Sequence, residues 1–131
     1  MIVGIGTDLV DCRRLEKIMA KHGQRFLDRV FTLKEQQRCQ QRHQALQSFG
    51  KVYAAKEAVV KAIGNTKGIH WRHIEIGHLP TGQPTVTLSH QALINYNALI
   101  PVPMCGKIDL SLTDEPPYAQ AFVVISATPL L

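Results

Sequence analysis

The sequence contains no apolar run approaching the about 20 residues needed to cross a bilayer, few aromatics at 6%, and only three cysteines, Cys12, Cys39 and Cys105. The first absence argues against a helical membrane protein. An odd number of widely spaced cysteines, with no Cys-x-x-Cys pair, excludes a disulfide framework and a cysteine-built zinc site. The opening residues, Met1 to Gly6, lack the basic leader and longer apolar stretch of a secretory signal, which predicts a cytoplasmic protein. There is no repeat, no linker, and no low-complexity tract beyond a glutamine-rich stretch from Gln36 to Gln47. The 131 residues therefore read as one domain spanning 1–131.

What is present is positive charge, unevenly placed. The formal net charge is +5, but residues 1–61 carry twelve Lys or Arg against six Asp or Glu, whereas residues 62–131 carry three against four. A basic N-terminal half favours an acidic partner: nucleic acid, a phosphorylated cofactor, anionic lipid or an acidic protein. A nucleic-acid-binding domain has the charge in its favour, with a sequence pI ≈ 9.3. The scarcity of aromatics and the absence of any RNA-binding signature weigh against it.

Periodicity gives an α+β reading, with helices mainly in the N-terminal half and mostly antiparallel strands later. Ile2 to Val10 reads as a buried strand. From Asp11 to His22, Leu15, Ile18 and Met19 recur at helical spacing, and Arg14, Lys17, Lys21 and Arg25 form a basic stripe beside them. Thr32 and Glu35 make a capping box opening a helix from Leu33 to Ala45. A third helix runs from Ser48 to Ala62 and stops at Gly64. Strands follow at Ile74 to Gly77 and Thr85 to Leu88, joined at Thr81 and Gly82. Ser89 is read as capping a helix to Asn97, and strands at Lys107 to Leu112 and Tyr118 to Ile125 flank a turn over Thr113 to Pro117.

Three residues invite a chemical reading. Asp8 ends an apolar strand, where a carboxylate is costly to bury without a partner. Glu57 and Lys61 are four apart and share a helix face. Magnesium takes hard oxygen ligands, usually one or two protein carboxylates with phosphate and water completing its shell, and a neighbouring lysine neutralises phosphate charge. The alternative is a solvated i, i+4 pair and a turn aspartate. His70, His73 and His78 offer an H-x-x-H spacing, but without cysteines or a third well-placed ligand this is a weak zinc pattern.

The stretches Gly4-Ile5-Gly6-Thr7-Asp8-Leu9-Val10 and Tyr53-Ala54-Ala55-Lys56-Glu57-Ala58-Val59-Val60-Lys61-Ala62 resemble the two signature motifs of the 4'-phosphopantetheinyl transferase superfamily, in its small single-domain branch. The likeness continues through Arg25-Phe26, Arg29, Thr32, Glu35, Gly82 to Pro84, and Leu110 to Asp114. It implies the 4'-phosphopantetheinyl transferase-like fold and transfer of phosphopantetheine from coenzyme A to a serine of an acidic acyl carrier protein, for fatty acid biosynthesis. It implies Asp8 and Glu57 as ligands of Mg2+, and Lys61 and Glu57 as catalytic residues. Lys61 would stabilise the leaving adenosine 3',5'-bisphosphate, and Glu57 or a water would accept the serine's proton. Lys51, Lys61, Gly64, Ser111 and Thr113 would bind the coenzyme, and Arg14, Lys21 and Arg25, on the first helix, would dock the carrier. It further implies a homotrimer with active sites between subunits, no nucleic-acid partner and no membrane.

The chain departs from the family pattern at three places. Val52, with Lys51 before it, stands where an arginine usually contacts coenzyme A phosphate. The turn after the third helix reads Gly64-Asn65-Thr66-Lys67-Gly68 in place of the common Gly-Thr-Gly. Asp114 occupies a position where many relatives carry histidine, so no histidine's role passes to it.

Overall fold

The computed structural model describes residues 1–130. Strand β1 (Ile2–Asp11) leads into four helices, α1 (Cys12–His22), α2 (Gln24–Val30), α3 (Leu33–Gln40) and α4 (Ala45–Ile63). A single 3-10 turn at Trp71–His73 precedes β2 (Ile74–His78), β3 (Pro84–Leu88) and α5 (His90–Leu99), and a long hairpin of β4 (Met104–Glu115) and β5 (Tyr118–Pro129) closes the fold. One antiparallel sheet has the order β1-β5-β4, and β2 and β3 form a separate antiparallel pair. This is the expected α+β arrangement.

α4 lies across the inner face of the larger sheet. The inward residues of β5 are Ala119, Ala121, Val123, Ile125 and Ala127, and α4 meets the core with Ala54, Ala55, Ala58, Val59 and Ala62, all buried. Small side chains on both surfaces let the backbones approach. At two points nothing larger than hydrogen fits: a Cβ on Gly4 would overlap the Ala62 carbonyl, and one on Gly6 the Ala58 carbonyl. Asp8, the next position of β1 on that face, is thereby held beside the turn of α4 that carries Glu57 and Lys61.

Local chemistry sets the helix boundaries and corrects several expectations. The Asp11 carboxylate accepts from the Arg13 amide at 3.0 Å and caps α1, so strand passes into helix with no loop between them. Gly23, at φ 56°, ends α1 and allows α2 to begin at once. Arg25 consequently lies on α2 and not on the first helix. The Thr32 capping box forms as expected, with Glu35 N donating to Thr32 Oγ1 at 3.3 Å and Thr32 N donating to Glu35 Oε1 at 2.8 Å. α3 ends at Gln40 and α4 begins at Ala45, three residues before Ser48. Ser89 precedes α5 without capping it, because its hydroxyl donates to the His73 carbonyl. Thr113, Asp114 and Glu115 belong to β4, paired with Gln120, Ala119 and Tyr118, which leaves Pro116 and Pro117 as the turn.

The core also contains a charge pair. Lys56 and Glu35 are fully buried with Nζ and Oε1 2.7 Å apart. The Lys56 ammonium also donates to the carbonyls of Ile74 at 2.7 Å and Trp71 at 3.1 Å, and Glu35 Oε2 accepts from the Ile76 amide at 2.7 Å. Burial pushes the carboxyl of Glu35 up and the ammonium of Lys56 down, and each charge opposes that shift on the other. Removing one partner from such a pair costs about 3–5 kcal/mol, because the other charge is stranded in the interior.

The contact at Gly6 has a direct test. Overpacking of this kind costs about 1–3 kcal/mol, so Gly6→Ala should lower the Tm in a thermal unfolding experiment by at least about 4 °C. An unchanged Tm would contradict the backbone contact.

Candidate functional site

Asp8, far in sequence from Glu57 and Lys61, meets them beside a cleft of ≈ 250 Å³ lined by Asp8, Asp11, Arg14, Ile18, Tyr53 and Glu57 among others. Lys61 Nζ donates to the Thr7 carbonyl at 2.9 Å and to Asp8 Oδ1 at 3.2 Å. Burial, and then the nearby charge of Asp8, hold the Glu57 carboxyl above its usual range, with Lys61 acting against both. The Tyr53 hydroxyl is pushed up by burial and by the charges of Glu57 and Asp8. Two carboxylates with one partly exposed lysine beside them form a site short of positive charge. That donor set suits a hard divalent cation. Among the described residues no three His, Cys, Asp or Glu side chains converge as a protein-only metal cage, so the two carboxylates fit magnesium, which completes its shell from phosphate and water.

A second, basic pocket of ≈ 310 Å³ opens on the same helix, lined by Arg38, Arg42, Ser48, Lys51, Val52, His78, Gly82 and Pro84 among others. Lys51 and Glu57 are six residues apart, about 9 Å of helix rise. Burial and the charges of Arg38, Arg42 and Lys51 push the His78 imidazole down. Its Nδ1 is the one buried side-chain polar atom without a hydrogen-bond partner among the described residues. Lys51 Nζ lies 3.4 Å from Asp114 Oδ1, and Gln47 Nε2 donates to Asp114 Oδ2 at 3.2 Å. Asp114 thus neutralises Lys51, while Arg38 and Arg42 have no ion-pair partner among the described residues. Sequence reading missed Arg38 and Arg42, and named His78 only within a weak zinc pattern. The arginines stand four apart, a spacing that could have marked a basic face, but His78 is brought to them only by the β2-β3 pair.

The remaining expected residues are distributed over three places. Gly64 ends α4 at φ 84°, as predicted. Arg14 and Lys21 are exposed on α1, and Arg25 on α2. Ser111 and Thr113 are exposed on β4, opposite Phe122 and Gln120, on the face of the sheet turned away from α4. Within one chain the sheet separates them from the Asp8 cleft. That outer face also exposes Ile5, Leu9 and Phe122. Of the histidines, His73 lies between His70 and His90, with ring centroids 4.9 and 5.1 Å away, whereas His78 sits apart in the basic pocket.

Against this geometry stand the similarities to known proteins. A holo-[acyl-carrier-protein] synthase of Methylobacterium radiotolerans is 45% identical over 132 residues, covering 99% of this chain and 97% of its own. One from Rhodopseudomonas palustris is 47% identical over 135 residues, covering 98% and 92%. The crystal structure of holo-[acyl-carrier-protein] synthase from Neisseria meningitidis superposes with a TM-score of 0.81 at 35% identity, over 96% of this chain and 99% of the other. That of the Helicobacter pylori synthase in complex with coenzyme A superposes with a TM-score of 0.78 at 27% identity, over 93% and 99%. Residues 4–102 match the family model of the 4'-phosphopantetheinyl transferase superfamily, and the chain belongs to that superfamily.

Proposed function

We propose that this chain transfers the 4'-phosphopantetheine moiety of coenzyme A to a serine of apo acyl carrier protein for fatty acid biosynthesis. The products are holo carrier protein and adenosine 3',5'-bisphosphate. The observation that carries this reading is a cleft lined by Asp8 and Glu57, with Lys61 bonded to Asp8 beside it, bordered by the basic helix α1 and followed along α4 by a cationic pocket. Relatives that match nearly the whole chain are named for this activity, and one solved neighbour is a coenzyme A complex.

In this reading Asp8 and Glu57 hold Mg2+. When bound, the ion supplies charge neutralisation at the diphosphate of coenzyme A. The serine oxygen forms a bond to the phosphorus that carries pantetheine, and the bond from that phosphorus to the bridging oxygen of the bisphosphate breaks. Lys61 binds the diphosphate and offsets the charge appearing on the departing bisphosphate. The serine's proton passes to Glu57 or to a water held beside it. The basic pocket takes the remaining phosphate of the coenzyme, with Arg38 and Arg42 supplying the charge that Val52 does not and that Lys51 shares with Asp114. Gly64 closes the coenzyme site at the end of α4.

Arg14 and Lys21 on α1, with Arg25 on α2, receive the acidic carrier protein. Ser111 and Thr113, held on the far side of the sheet, reach the coenzyme of a neighbouring copy. The apolar outer face around Ile5, Leu9 and Phe122 is the surface through which copies join as a trimer. The chain acts as one domain over 1–131, and its three free cysteines go with the reducing cytoplasm.

Incubated with apo carrier protein, coenzyme A and magnesium, the protein should add one phosphopantetheine to the carrier, read by intact-mass spectrometry. No addition, beside a working control enzyme, would refute the function. Asp8→Asn and Glu57→Gln should each lower the transfer rate by at least about 100-fold with Tm maintained, as expected for groups placed at a reacting phosphate. Arg42→Gln should raise KM for coenzyme A about tenfold while leaving KM for 3'-dephospho-coenzyme A within twofold, since loss of one charge-assisted contact is worth about 1.5 kcal/mol. Light scattering on the eluting protein should give three times the 14.6 kDa chain mass. Phe122→Lys should shift that mass towards one chain and abolish transfer; a monomeric, fully active parent would remove the trimer and the role of Ser111 and Thr113.

A further inference from the structure

Lys56 of the buried Glu35–Lys56 pair is one residue from Glu57 in sequence but faces another side of α4. The ammonium has three protons, and all three are directed, to Glu35 on α3, to the carbonyl of Trp71 in the 3-10 turn, and to that of Ile74, the first residue of β2. The carboxylate in turn accepts from Thr32 N and Ile76 N. One interaction thus joins α3, α4 and β2 with a defined direction at every contact. An apolar pair of similar volume would fill the space without fixing a direction. On the opposite side, α4 lies against Gly4 and Gly6, which set how near the helix comes but offer no side chain to fix its rotation.

Rotation matters because the functional groups project from the helix. At about 6 Å from the axis, a turn of only about 10° displaces a carboxylate by about 1 Å, and a metal or phosphate site tolerates about 0.5 Å. The basic pocket depends on the same joint: Arg38 belongs to α3, Lys51 to α4, and His78 to β2. These are the three elements the pair ties together.

We propose that Glu35 and Lys56 are positioning residues that hold the Asp8–Glu57 metal site and the basic phosphate pocket in one frame, so that a single coenzyme engages both. The proposal rests on the function assigned above. It makes the pair's contribution one of coenzyme and metal affinity, beyond stability alone.

Glu35→Gln/Lys56→Met removes both charges without stranding either, and Glu35→Asp keeps both charges while shortening the link. Three quantities are read on each variant and on the parent. They are Mn2+ affinity in saturating coenzyme A, from the free-Mn2+ electron spin resonance signal; coenzyme A affinity without metal, by calorimetry; and affinity for apo carrier protein, which reports α1 and α2. The expected result is at least a tenfold loss of Mn2+ and coenzyme A affinity in whichever variants melt as folded proteins, with carrier affinity within twofold of the parent. Parent-like affinities in a folded variant overturn the proposal, and so does a parallel loss of all three or failure of both variants to fold, either of which makes the pair purely structural. If the parent itself holds no Mn2+, the metal assignment fails, and coenzyme A affinity still decides the role of the pair.

Discussion

Everything in this molecule depends on how closely β1 and α4 approach. Two glycines on the strand lie against carbonyl oxygens of the helix, a contact that alanine at either position would block. Because the strand carries Asp8 and the helix carries Glu57 and Lys61, that backbone contact is also what joins a distant carboxylate to the helix pair in one site. The small residues of β5 and α4 extend the same close packing across the sheet, where complete burial of groups such as Val123, Ile125 and Val59 contributes about 1.5–3 kcal/mol each. The core and the site therefore share one geometric cause.

The molecule sorts its charges by depth. At the surface, α1 and α2 present arginines and lysines to solvent. In the clefts, charges are incompletely balanced: two carboxylates have one lysine beside them, bonded to Asp8, and two arginines line a pocket with a histidine whose Nδ1 has no partner among the described residues. In the interior, Glu35 and Lys56 are balanced completely, with every ammonium proton directed at an acceptor. Incomplete balance in a cleft is what a charged ligand can correct, and complete balance in the core is what keeps the surrounding elements fixed.

Much of this was legible from residues alone. The capping box at Thr32 and the helix stop at Gly64 follow from short-range rules, and the structure keeps them. The first strand forms but exposes Ile2, Ile5 and Leu9 on its outer face, and Lys61 bonds Asp8 and the Thr7 carbonyl, not its helix neighbour Glu57. Two paired motifs sufficed to indicate the superfamily. Other features were illegible for physical reasons. Gly23 reads equally well as the end of one helix or as a kink between two, so α2 escaped notice and Arg25 was given to the wrong helix. Alternation in β4 runs on through polar residues, where hydrophobic pattern loses its signal, and the turn was drawn too long. The burial of Lys56, and the gathering of Arg38, Arg42 and His78, are tertiary facts; nothing in their immediate neighbours distinguishes them from solvated side chains.

The junction of β1 with α1 bears on how a large partner would be received. Strand becomes helix at Asp11 and Cys12 with no loop residue between, and Asp11 caps the helix it adjoins. There is accordingly no hinge between the strand bearing Asp8 and the helix bearing Arg14 and Lys21. The basic surface cannot swing without dragging the carboxylate with it. On the function proposed above, an acidic carrier would meet a landing platform already aligned with the cleft, recognition would cost little ordering of this segment, and selection among acidic proteins would fall on the fit of the partner's own shape to a rigid template.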